Sequence, residues 1–174
     1  MDAEGPHPRI WVGVSVEDQK AADERIPLLL QTPAAVRWIS AEPLLGPVDL
    51  GLFGTVPKDI SQRYTLTYEM LHWVVGGGES GPKARPMKQE WARSLRDQCD
   101  DAGVPFLFKQ WGEWFPTSIG QGGSQLGAWN GDDFMPGWGD IKNPENNMVR
   151  AGKRAFGGRL LDGRQHDGYP VSAE

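Results

Sequence analysis

The sequence predicts an α/β fold built on a parallel sheet, and three observations carry that expectation. Residues 9–16, 36–42, 71–76 and 105–111 are apolar runs without strict alternation, the pattern of strands covered on both faces. Helix-type segments follow the first and third runs, which gives the order β-α-β-loop-β-α-β. The chain has 174 residues, whereas a closed eight-stranded (β/α) barrel takes about 250. The expected architecture is therefore a parallel β/α half-barrel over 1–111, with a loop-rich extension over 112–174 packed on the same domain.

Each element has its own signal. Arg-Ile-Trp-Val-Gly-Val-Ser-Val over 9–16 is a short β-branched run. Residues 17–25 are polar and helix-forming, and Pro27 is expected to break that helix or open a short second one through Leu28-Leu29-Leu30 before Thr32-Pro33. After the strand at 36–42, residues 48–70 lack a period and contain Gly51, Gly54 and Pro57, so they read as an irregular connection. The third strand runs into Gly76-Gly77-Gly78-Glu79-Ser80-Gly81-Pro82. Over 88–102, Trp91, Leu95, Cys99 and Ala102 share one helical face and Gly103 supplies the stop. Residues 112–144 are rich in Gly, Trp, Asp and Asn and read as a long irregular excursion.

Composition narrows the chemistry. With 23 Gly and 14 Pro the chain is loop-rich yet not low-complexity. Its mean hydropathy is -0.50, and no apolar run approaches the ~18 residues of a membrane helix. The opening Met1-Asp2-Ala3-Glu4-Gly5-Pro6 lacks the pattern of a secretory signal, so a cytoplasmic location is expected. Cys99 is the single cysteine, which excludes an internal disulfide, a CxxC zinc site and a multi-cysteine iron–sulfur site on this chain. A net charge of -5 argues against a general nucleic-acid coat. The local exception is 148–164, where Arg150, Lys153, Arg154, Arg159 and Arg164 face only Asp162.

In parallel α/β sheets ligands bind beyond the carboxyl ends of the strands. Glu17, Glu42, Glu79 and Lys109 follow strand ends and are expected to meet on one rim. Glu17 has an alternative role at a helix N-terminus. Glu42 and Glu79 lie in Ser40-Ala41-Glu42-Pro43 and Gly78-Glu79-Ser80-Gly81, turns with no helix directly after them. The triple glycine permits close approach by a ligand or by another backbone. It lacks the P-loop continuation and the GxGxxG spacing, so a nucleoside-triphosphate site is not expected. Lys109-Gln110-Trp111-Gly112-Glu113-Trp114 suits stacking on a planar base, or else the two indoles are core. His72, beside Trp73, reads as structural; His7 and His166 have no partner at ligand spacing, and Ser15, Ser40 and Ser80 lack a GxSxG context.

Five strings together resemble a known family: Trp11-Val-Gly-Val-Ser-Val-Glu-Asp18, Ile39-Ser-Ala-Glu-Pro-Leu-Leu-Gly46, Gly77-Gly-Glu-Ser-Gly81 with Ala84-Arg-Pro-Met87, Phe108-Lys-Gln-Trp-Gly-Glu113 and Gly158-Arg-Leu-Leu-Asp-Gly163. They look like the C-terminal part of the phage gene-product thirty-seven/sixty-eight family, which is similar to radical S-adenosylmethionine enzymes. The resemblance implies the later strands of a partial barrel. It implies cofactor contacts from Ser15, Glu17, Ser40, Glu42, Gly77 and Gly78, with Glu42, Glu79, Arg85 and Lys109 facing substrate or the methionyl group. Full-length members hold a four-iron cluster in an N-terminal three-cysteine region, and with Cys99 alone neither cluster nor S-adenosylmethionine is expected to bind stably to this chain by itself. The implied partner is a missing half or a second copy on the sheet edge at 9–16, unless the excursion, with Trp114, Trp129, Phe134 and Trp138, covers that edge. Two other readings compete: a non-enzymatic nucleic-acid or protein binding module using the basic tail, and a Mg²⁺ site on Glu17, Glu42 and Glu79.

Overall fold

Strands β1 (Trp11–Ser15), β2 (Val36–Ala41), β3 (Trp73–Gly77) and β4 (Phe106–Gln110) form one parallel sheet in the order β1-β2-β3-β4. The computed structural model describes residues 7–52, 71–117, 125–137, 146–150 and 158–170. Residues 53–70 of the expected irregular connection, with Trp138, Lys153 and Arg154, lie outside them. The four expected strands are present, adjacent and parallel.

Alternation along each strand sorts the sheet into two unlike faces. Val14, Ile39, Ala41, Val74, Phe106 and Phe108 point to one, where Ile39, Val74 and Phe108 are wholly buried. Helices α1 (Gln19–Gln31) and α2 (Gln89–Ala102) pack on that face, joining Ala22, Ile26, Leu29, Leu95 and Cys99 to the same core. Trp11, Gly13, Ser15, Trp38, Ser40, Trp73, Leu107 and Lys109 occupy the other face, which no described helix covers; these residues are half-buried or exposed, while Val36 and Val75 on the same face are buried. Right-handed crossovers that always step in one direction along a sheet leave their helices on one side.

Asp18 caps α1 by accepting from the Ala21 N–H at 2.8 Å. Pro27 does not break the helix, contrary to expectation. Ile26 and Leu29 are buried on either side of it, and tertiary packing outweighs one lost helical bond. Helix α2 follows its periodicity and ends at Gly103 with φ 66°. The described start of the 48–70 connection is also more ordered than expected. Val48, Leu50 and Leu52 are buried between the helices. Gln98 of α2 donates to Val48 O and accepts from Leu50 N–H, while Gln19 of α1 makes the matching pair with Asp49.

The extension is not an irregular excursion. Strands β5 (Trp114–Pro116), β6 (Gln125–Asn130), β7 (Asp133–Pro136) and β8 (Asn147–Arg150) form an antiparallel sheet in the order β5-β8-β6-β7. Its sequence signal is Gly131-Asp132, the two-residue loop between the paired Asn130 and Asp133, and Gly131 takes the positive φ required at its first position. This sheet packs against α2 through Trp129 on Trp91, ring centroids 5.4 Å apart. Lys88 Nζ lies 4.8 Å from the Trp129 ring and donates to Gly131 O.

The two edges of the parallel sheet differ. The edge beyond β4 is covered by residues 166–168 of the same chain: Leu107 bridges Asp167, Phe108 N–H donates to His166 O and Gly168 N–H to Phe106 O. Among the described residues β1 pairs only with β2, and the described strands of the extension lie against α2 and the 79–88 loop instead. Asp162 fastens the covering segment to α2 through ion pairs with Arg93 at 2.7 Å and with Arg96. The hydrogen bond from Arg93, opposed by desolvation and then reinforced by Arg96, holds the Asp162 carboxyl below its usual range. A depressed carboxylate stabilises the fold above its unfolded pKa of about 3.9 and loses that contribution as pH falls through the folded value. Asp162→Asn is therefore expected to lower the thermal midpoint at neutral pH, with the two proteins converging as pH falls through the depressed folded value of Asp162.

Among the described residues no helix is long and apolar enough to cross a membrane.

Candidate functional site at the strand ends

Glu42 leaves β2 and lays its carboxyl over the bare backbone of Gly77, where an added Cβ would lie 3.2 Å from Glu42 Cδ. Lys109, leaving β4, reaches Glu42 Oε2 at 2.9 Å, and Gln110 donates to Glu42 Oε1 at 3.3 Å and to Ser80 Oγ at 3.1 Å. The loops behind these side chains are laced by backbone bonds, Leu44 N–H to Gly77 O, Leu45 N–H to Glu17 O and Gly78 N–H to Gln110 O. The sheet register thus delivers Glu42, Lys109, Gln110 and Ser80 to one cluster.

Glu79 faces a different partner. Its carboxylate receives Arg85 through both guanidinium nitrogens, at 2.8 and 2.9 Å, and through the Arg85 N–H. The Arg85 hydrogen bond, against a smaller desolvation penalty, lowers the Glu79 pKa. Glu79 and Lys109 therefore do not pair directly, and Ser80 is the link between the two groups. Glu17 pairs with Arg25 at 2.8 Å, and the same guanidinium nitrogen donates to Ser15 O. Asp18, not Glu17, serves the helix N-terminus. Glu113 accepts from Gly81 N–H and lies 3.6 Å from Arg150. Each carboxylate of the rim thus has its own cation: Arg85 comes from the same loop as Glu79, whereas Arg25, Lys109 and Arg150 sit on other elements than their partners.

Several expectations need correction. Of the two readings of Trp111 and Trp114, stacking platform or core, the core reading holds; they are 1% and 4% exposed, with their indole N–H groups bonded to Leu160 O and Ala84 O. Gly78 is open to no ligand on its Cα side, since an added Cβ would lie 1.9 Å from Trp111 O. Glu17, Glu42 and Glu79 do not converge, and no group of three potential ligands is gathered among the described residues, so the Mg²⁺ reading has no site. In the basic tail Arg150 is held by Glu113 and Pro82 O and Arg159 by Asp167. Ser15 and Ser40 are register partners on the face that no described helix covers. His72 is structural as expected, its Nδ1 accepting from Arg37 N–H at 3.0 Å.

The chain's own cysteine does not fit an iron–sulfur cluster. Cys99 is wholly buried beneath α2, and burial pushes its thiol up to about 12, opposite to the thiolate that iron requires. Native protein is expected to leave a thiol reagent such as dithionitrobenzoate unconsumed over hours at pH 8, and to consume one equivalent once unfolded in guanidinium.

Fold and site define a mixed α/β domain: a parallel four-stranded sheet with a charged, hydrogen-bonded rim at its carboxyl end, joined to a separate antiparallel sheet. Residues 2–170 match the model of the family described as protein of unknown function DUF5131, and the chain belongs to that family. No curated protein and no solved structure matches the chain.

Proposed function

We propose that this chain is the later-strand part of a barrel of the radical S-adenosylmethionine type from a phage or mobile element, and that its rim binds the cofactor and holds substrate. The observation that carries the reading is the Glu42–Lys109 pair over the side-chain-free Gly77, at the carboxyl end of a parallel sheet whose two described helices lie on one face. The methionyl end of S-adenosylmethionine carries both an ammonium and a carboxylate, and Glu42 with Lys109 and Arg85 offers both complementary charges. Ser15, Ser40 and the Gly77 backbone would contact the adenosyl part. When bound beside a four-iron cluster, the cofactor supplies a carbon radical that removes hydrogen from substrate. The cluster must come from outside the described residues, and this chain's residues bind, orient and shield. The basic-tail reading has less support, because two of its three described arginines, Arg150 and Arg159, are held in ion pairs and the third, Arg164, lies against His166.

Amide NMR of the full chain tests the proposal. Millimolar S-adenosylmethionine is expected to shift Ser15, Ser40 and Gly77 weakly but saturably, and Glu42→Gln to abolish the response. Anaerobic treatment with iron and sulfide should leave the chain colourless. A silent rim, or stoichiometric iron on this chain alone, would overturn the reading.

A further inference from the structure

The buried Trp111 and Trp114 leave open which aromatic ring, if any, can meet a ligand. Trp73, Trp111 and Trp114 all spend their indole N–H on backbone carbonyls. Trp38 does not: among the described residues its Nε1 has no hydrogen-bond partner, and the side chain is half-buried on the face that no described helix covers. Its placement is set by Gly13. A Cβ at Gly13 would lie 2.3 Å from Trp38 Cε2 and 2.5 Å from Nε1, so the indole lies flat over the β1 backbone. Trp73 braces it from the side, centroids 5.5 Å apart. One ring face is thus turned away from the sheet, with an unused N–H at its edge. Two residues further along the strands, roughly 7 Å, stand Ser15 and Ser40, and beyond them Lys109, whose side chain is 56% exposed.

We propose that Trp38 is the stacking floor of a substrate subsite and that the group it takes is a planar heteroaromatic ring of the nucleobase class on an anionic tail. The inference rests on the reading of the rim given above and names the substrate class for it. A flat indole favours a flat ring, every base presents a π-face, and an in-plane N–H suits a ring with an acceptor at its edge. The exposed Lys109 ammonium retains N–H donors beyond its bond to Glu42. Its height above Trp38, roughly four residues or 13 Å, is covered by a sugar phosphate together with the lysine stem.

The test uses the full chain and guanosine 5′-monophosphate, a nucleobase on an anionic tail, added without S-adenosylmethionine. The Trp38 indole resonance is expected to shift saturably, and ribose 5-phosphate at the same concentration to leave it unmoved. Trp38→Phe should weaken binding a few-fold and Trp38→Leu about tenfold or more, the scale of base–aromatic stacking. Gly13→Ala, which keeps the tryptophan but displaces its ring, should match Trp38→Leu, and Lys109→Met should weaken the nucleotide but not free guanosine. Equal binding of ribose 5-phosphate, or nucleotide binding unchanged in Trp38→Leu, overturns the inference. If S-adenosylmethionine moves the rim while the nucleotide moves nothing, this inference alone fails. If the nucleotide moves Trp38 while the rim ignores S-adenosylmethionine, the stacking floor stands and the cofactor reading fails.

Discussion

Gly78→Ala is expected to destabilise the domain by about 3–4 kcal/mol, as a forced overlap in a packed interior does. The added methyl would sit 1.9 Å from Trp111 O and 2.6 Å from Trp111 C, and both are backbone atoms that no rotamer change can move aside. Gly112 meets the same crossing from the other side, with φ 84° and a would-be Cβ 2.1 Å from Glu79 O. The loops after β3 and β4 thus cross with glycine against backbone, and that crossing sets the height of Ser80 and Gln110 over Glu42. Thermal unfolding should show a midpoint lower by roughly 10 °C, at 2–4 °C per kcal/mol for a domain of this size. Gly131→Ala is the control. Its φ of 66° is also positive, but nothing lies within 4 Å, so only the backbone penalty of about 1–2 kcal/mol remains. Equal losses in the two variants would show that the loop crossing can relax.

The second large effect is expected at Gln98→Leu. The substitution keeps volume and helix propensity but strips Val48 O and Leu50 N–H of their partner in a segment buried between α1 and α2. Each buried group left unpaired costs about 1–3 kcal/mol, which puts the loss near 2–4 kcal/mol in urea unfolding. Gln19→Ala removes the equivalent pair at Asp49, but that contact is exposed to solvent and water replaces it, so the loss should stay below about 1 kcal/mol. If Gln98→Leu were neutral, the segment at 48–50 would be held by its apolar side chains alone.

What the sequence determined by itself was whatever a local period can encode. Apolar runs placed all four parallel strands, a 3.6-residue stripe placed Trp91, Leu95 and Cys99 of α2 against the core, and Gly103 marked its end. The rule that strand ends share a rim brought Glu42 and Lys109 together correctly, since parallel register is enough to do so. The tertiary structure alone decided the rest. Pro27 stayed in a helix because Ile26 and Leu29 found a core, which no local propensity reports. Short strands such as Trp114–Pro116 and Asn147–Arg150 have too few residues to show a period, and they became a sheet only by pairing with each other across thirty residues of chain. Trp111 and Trp114 went inside while Trp38 stayed at the surface, although all three are tryptophans near glycines. The difference lies in which backbone carbonyl each indole could reach and whether a helix covered that side of the sheet, and both are properties of the packed chain. Arg25 and Arg150 likewise became the partners of Glu17 and Glu113 through proximity in space, because a charge in a sequence has a sign but no address until the elements carrying it are docked.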